Sequence, residues 1–201
     1  CTVHPKVWNA FESGDKRKTA SIIDLVGEGI ESSFDLKDQR EYTGYTVKKY
    51  TPMAFYDGTS ASKADGSGDF QTSQHQDFVV VRYADVLLMA AELGSSNAQL
   101  YFDKVRSRAG LTTKEPSQEN IMKERFVEFA FEGQRYWDLL RQGIDVASST
   151  IAESGIELKS GGNPDVITIT ADKIKTTKGF CQIPSTQITL SDNVLKQNAG
   201  W

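Results

Sequence analysis

The chain has 201 residues, 38% hydrophobic and 25% charged, with a formal net charge of −4; that suffices for one core-bearing domain or a large piece of a bigger protein. The acidic balance and the absence of a Lys/Arg block argue against nucleic-acid binding, which neutralises phosphates with clustered cations. No apolar run reaches the ~20 residues of a membrane-spanning helix. Two cysteines (Cys1, Cys181) make no disulfide framework, and His4 and His75 lack ligand spacing, so neither a metal nor a cofactor is expected.

Cys1 stands where a lipidated residue of a mature lipoprotein would, but the preferred reading takes it simply as where the piece starts, with no secretory leader before it. The segment Val7-Trp8-Asn9-Ala10-Phe11 has the pattern of a short helical turn. Asp15 and Arg17 flank a turn after Gly14 and are expected to pair locally. Residues 27–33 read as loop. Residues 39–50 carry Tyr42, Tyr45, Val47 and Tyr50 among polar residues and predict a short strand or extended piece. Residues 51–76 are rich in Gly, Ser, Asp and Thr without any period, which predicts a long surface loop of the kind that often carries function.

Residues 77–93 predict a helix with Val79, Tyr83, Val86, Leu87 and Ala90 on its inner face, stopped by Gly94. Residues 97–108 predict a second, with Leu100, Tyr101 and Val105 inward, closed by Gly110 in the left-handed conformation. The two make a hairpin of the helical-repeat kind. After Gly143, residues 144–158 predict a short helix or irregular turns and 161–165 a loop. Residues 166–170 alternate as a short strand, and 180–184 form an extended piece. Residues 185–201 read as coil or a single-turn tail, with Trp201 buried as a lid.

The stretch at residues 117–143 organises the rest. Ser117 is a good N-cap. Phe126, Phe129, Ala130, Gly133, Trp137 and Leu140 recur at helical steps, and Ile121, Met122, Phe131, Tyr136 and Leu139 widen that face until the helix is apolar on two sides, as an enclosed helix is. Yet Glu124, Arg125, Glu128, Glu132, Arg135, Asp138 and Arg141 thread through it. A buried charge left alone costs several kcal/mol, so these residues together with Arg82 are expected to form an ion-pair network, with Gly133 where another backbone comes close. Glu124, Glu128 and Glu132 lie four apart; two such carboxylates suit glycoside hydrolysis, but with arginines beside them an ion-pair ladder is the simpler reading. No nucleophile motif and no phosphate-cradling loop is present, so no catalytic residue is assigned.

The run ERFVEFAFEGQRYWDLLRQG resembles the signature of the SusD/RagB family, roughly E-R-x-x-E-F-x-F-E-G-x-R-x-x-D-L-x-R. Further segments agree in order: Asp15-Lys16-Arg17 with its D-P-R, VRYADVLLMAAE at 81–92 with its R-Y-A-D/E-V-L-L-x-x-A-E, and VRSRAGL at 105–111 with its R-x-R-A-G-L. Lys48-Lys49-Tyr50 is similar to another family segment, and Ile183-Pro184 and Gln197-Asn198-Ala199-Gly200-Trp201 are similar to its closing P-I-P and Q-N-P-G-Y.

The resemblance implies a mainly α, helical-repeat-like C-terminal domain over residues 1–201, with long loops and a few short strands, the family's N-terminal helical-repeat half being absent. It implies a non-catalytic, surface-exposed lipoprotein of the outer membrane that binds an oligosaccharide or similar nutrient. Its partner would be a SusC-like TonB-dependent transporter, and the membrane would be met only through a lipid anchor on the full-length protein. A sugar site needs aromatic faces for pyranose C–H groups and polar side chains for hydroxyls. Phe55, Tyr56 and Asp57, opening the long loop, are the leading candidates, with Tyr42, Tyr45 and Trp8 as exposed-looking aromatics. The alternatives are a helical-repeat module that docks a protein or peptide and, more distantly, a glycoside hydrolase.

Overall fold

The computed structural model describes residues 2–31, 39–51 and 79–201. Among them are nine helices and two two-stranded antiparallel sheets, so the fold is mainly α with a few short strands, as the sequence predicts. The sequence reading treats residues 1–201 as one domain. The chain falls into two compact units, Cys1–Asp35 with Tyr42–Gly133, and Leu36–Glu41 with Gln134–Trp201.

The first unit holds α1 (Pro5–Ala10), α2 (Arg17–Ser21), β1 (Ile22–Asp24), β2 (Tyr45–Val47), α3 (Tyr83–Glu92), α4 (Ala98–Arg108) and α5 (Gln118–Glu128). Ser117 caps α5 by accepting from the Asn120 amide. Two apolar cores flank α5. One side of it puts Ile121 and Met122, with Phe129 just beyond, against Leu87, Leu88 and Ala91 of α3 and Phe102 and Val105 of α4. The other puts Val127, with Ala130 beyond, against Val3, Phe11 and Ile22. An element enclosed from two sides reads as apolar all round, which is the pattern of this stretch.

Residues 117–143 are not one helix. α5 stops at Glu128, and α6 begins at Arg135. Between them Phe131 takes φ 68° and Gly133 φ 75°, and a left-handed residue cannot continue a right-handed helix. Nothing lies within 4 Å of where a Gly133 Cβ would be, so this glycine serves backbone conformation and not, as expected, a close approach. A bulky residue at positive φ costs of order 1–3 kcal/mol and persists only where its surroundings over-determine it; Phe131 is held by packing on the second core.

The α3–α4 pair forms, with Gly94 and Gly110 at positive φ after the two helices. Its faces differ from those expected. Leu87 and Val105 are buried as expected, but Tyr83, Val86 and Leu100 point to solvent, and Leu88, Ala91 and Phe102 are further buried positions. The first helix starts at Tyr83, with Val79 outside it. The apolar stripes on α3 are two, and periodicity alone does not say which one meets a partner.

The second unit holds α6 (Arg135–Leu140), α7 (Ile144–Ile151), β3 (Glu153–Ser160), β4 (Asn163–Ile169), α8 (Ala171–Thr177) and α9 (Ser185–Leu190). The strand expected at 166–170 is the end of β4, but its antiparallel partner β3 lies in residues read as helix or turn, and the expected loop narrows to Gly161 and Gly162. α8 lies in residues to which the sequence reading gave no element, and α9 is a short helix where coil or a single turn was expected. β3 is rich in Glu, Gly, Ser and Lys, poor strand formers taken singly, and pairing with β4 overrides that preference. The closing segment is fixed by side chains: Gln197 accepts from the Ile183 amide (2.8 Å) and donates to the Ile183 carbonyl (2.9 Å), and Asn198 donates to the Cys181 carbonyl (2.7 Å). Trp201 is no buried lid. It is 49% exposed, its indole N–H donates to the Phe180 carbonyl, and Lys173 lies 3.9 Å over its ring.

Candidate functional site

The carboxylates of Glu124, Glu128 and Glu132 leave one side of α5 and the turn after it, and each side chain is only 2% exposed. Arginine forks bind them together. Arg17 clamps Asp15 through Nε and Nη2 (2.9 and 2.7 Å) and sends Nη1 to Glu124 (2.7 Å) and Glu128 (3.0 Å). Arg82 clamps Glu132 through Nε and Nη2 (2.9 and 2.8 Å) and sends Nη1 to Glu128 (2.7 Å). Arg106, itself 2% exposed, joins Glu124 (2.8 Å) to Glu12 (2.9 Å), and its Nε donates to the Thr112 carbonyl. Arg108 reaches both oxygens of Glu128. The pattern repeats: one fork grips a carboxylate and a further nitrogen carries the chain to the next. A planar guanidinium can do this and an ammonium cannot.

The end of α5 is closed by the same groups. Arg82 donates to the Glu128 carbonyl (3.0 Å), and Lys49 donates to the carbonyls of Glu128 and Ala130 and to the Glu132 carboxylate. Carbonyls left over at a helix end thereby find partners, and cations sit at the negative end of the helix dipole. Arg82 and Arg125 lie 4.9 and 5.0 Å from the Phe129 ring centroid.

The local Asp15–Arg17 pair is present, and Arg17 also reaches α5. Of the other charges singled out in the sequence, Arg125 turns to Asp85 (2.6 Å). Asp138 and Arg141 pair with each other at 2.9 Å in the second unit, to which Arg135 also belongs. Burial pulls the Arg135 guanidinium below its ordinary value, against the charge of Asp138. Sequence reasoning missed Glu12, Lys49, Arg106 and Arg108. Lys49, Arg106 and Arg108 were legible, since they stand inside segments already recognised as motifs.

Burial pushes the carboxyls of Glu128 and Glu132 up, but hydrogen bonds from Arg82 with Arg17 or Lys49 outweigh it and hold both below the usual range. The Arg106 hydrogen bond, aided by Lys114 and opposed by burial, holds Glu12 at about 2. A general acid needs the opposite shift, upward towards neutral pH.

The aromatic candidates are placed differently from expectation. Tyr42 is buried, not exposed, and its hydroxyl donates to Glu31 (2.7 Å), which with burial pushes its pKa up to about 12. Trp8 and Tyr45 are half-buried and stack on each other at 4.8 Å, and Lys18 lies 4.0 Å from the Trp8 centroid. Those ring faces are engaged in packing. Phe55, Tyr56 and Asp57 lie outside the described residues. Beside the network lies a cavity of about 240 Å³, lined in part by Arg106, Glu124 and Phe126.

Comparison with known proteins agrees with this architecture. The model of the SusD family matches residues 8–201. The chain is 22% identical over 217 residues to SusD-like protein P2 of Formosa agariphila, covering 98% of this chain and 39% of that protein. It superposes on surface glycan-binding protein A from Bacteroides thetaiotaomicron in complex with laminarihexaose with a TM-score of 0.71 at 27% identity, over 100% of this chain and 41% of that one. A laminarin-binding SusD-like protein gives 0.67 at 27% identity, over 100% and 38%. The chain therefore spans about two fifths of the length of these relatives.

Proposed function

This chain belongs to the SusD family, and we propose from that premise that it serves as a non-catalytic glycan-binding component of an outer-membrane uptake system. The observation that carries the reading is its likeness, at 27% identity, to a surface glycan-binding protein solved with laminarihexaose. The glycoside-hydrolase reading is disfavoured because Glu128 and Glu132 are held ionised by arginines, leaving neither as a proton donor. In this reading the ladder is chiefly scaffold, with Phe55, Tyr56 and Asp57 the proposed ligand contacts. The complete protein would be lipid-anchored at the cell surface and pass its ligand to a SusC-like TonB-dependent transporter.

Calorimetry against a glycan panel that begins with laminarihexaose tests this. Binding without release of reducing ends is expected. The double substitution Phe55→Ala, Tyr56→Ala should weaken binding by about 0.5–1.5 kcal/mol per ring with the melting temperature unmoved. Accumulating reducing ends would overturn the non-catalytic reading. Equal binding by the double variant would remove the loop from the site. Co-purification of the full-length protein with a TonB-dependent transporter checks the delivery step.

A further inference from the structure

The cavity beside the ladder has the chemistry of a sugar subsite. Its lining carries three acids, Glu12, Asp15 and Glu124, and three bases, Arg106, Lys114 and Lys123. The charges cancel, which favours a neutral ligand rich in donors and acceptors over an anion or cation. Phe126, Ala10 and Val127 supply apolar wall beside these charged groups. A pyranose presents that mixture: apolar C–H faces ringed by hydroxyls.

The size agrees. At about 240 Å³ the cavity exceeds the ~150 Å³ that admits one benzene ring and falls short of the roughly 300–1,000 Å³ of pockets for drug-sized ligands. One hydroxylated six-membered ring fits, and a longer chain does not. Of the lining residues, Arg106 and Glu124 are each 2% exposed and bonded to each other. Glu12 is 40% and Lys114 42% exposed, and a single Glu12 oxygen accepts from Arg106 and Lys114, 2.9 Å from each. A solvent-accessible carboxylate with a lysine beside it is suited to ring hydroxyls.

We propose that this cavity, built by α1, α4, α5 and the segment before α5, binds one neutral pyranose unit, a free monosaccharide or the end of a glycan, as a site separate from the 55–57 loop. The proposal rests on the glycan-binding reading above and adds a location and a ligand size to it.

The test is a titration of the isotope-labelled chain with D-glucose and, separately, laminarihexaose, following amide resonances of Asn120, Lys123 and Phe126. Saturable shifts at these positions with either sugar are expected. In Phe126→Leu, which keeps apolar volume and removes the ring, the affinity read at Asn120 and Lys123 should fall about threefold to tenfold, the loss of one aromatic face. Should that variant melt early, Asn120→Ala supplies the same comparison from the helix's first turn. Laminarihexaose binding with shifts confined to other residues, or unchanged affinity in a folded Phe126→Leu, overturns the subsite and leaves the glycan reading standing. Absence of any shift with both sugars and of any heat across the glycan panel overturns both.

Discussion

The two units are closed by different chemistry. In the first, α5 runs between two apolar cores, and buried guanidinium forks fasten its acidic side to the helices around it. In the second, a hairpin and four short helices are tied by amide-to-backbone bonds such as those of Gln197 and Asn198, and much apolar surface stays exposed, including Trp137, Phe180 and Val194. Charges in the first unit act in a dry interior, where a stranded partner is expensive. Neutral amides in the second act near water, where each bond contributes little net. The first unit should therefore fail sharply when one charge is lost, and the second should loosen locally.

The largest expected effect is Glu128→Ala. It takes one carboxylate from Arg17, which keeps Asp15 and Glu124, and from Arg82, which keeps Glu132, and it removes the partner of Arg108. Loss of one member of a buried pair costs about 3–5 kcal/mol, so denaturant unfolding should show a drop of that order. An unchanged midpoint would mean that the ladder is solvated and the contrast between the units is empty.

Acid should come next. The folded-state carboxyls of Glu12, Glu128 and Glu132 lie below their unfolded value of about 4.3. Their contribution is fully present above that value and disappears as the pH falls through the depressed folded values. Melting temperatures between pH 6 and 2 should decline from about pH 4.5 downward, with Glu12 held ionised down to about pH 2. Glu128→Gln should flatten part of this slope, and an identical slope in that variant would assign the acid sensitivity elsewhere.

Smaller and more local is Gln197→Ala. It removes both bonds to Ile183, worth about 0.5–1.5 kcal/mol each. Hydrogen exchange should speed at the Ile183 amide while the amides of α5 keep their protection. Acceleration throughout α5 would show that the second unit is not held piecewise.

The ladder's members were half legible. An acid every fourth residue on a doubly apolar helix requires cations, because a bare buried carboxylate is intolerable. What supplies them is not visible from the stretch itself. Arg17, Arg82, Arg106 and Lys49 come from segments 107, 50, 18 and 83 residues away from their partners. The sequence also suggested that Arg135, Asp138 and Arg141 belong to the network; the chain turns at Phe131 and Gly133 before it reaches them.

The sequence by itself determined the helical character, the α3–α4 pair, the Ser117 cap, the family and the need for buried ion pairs, since these follow from spacing and from the cost of burying charge. Only the tertiary structure decided which stripe of α3 is buried, where the central helix breaks, that β3 is a strand, and that Tyr42 faces the interior. Each of these depends on what a second segment offers across space. A side chain's periodicity fixes its neighbours along the helix, but its burial is fixed by the element that arrives opposite.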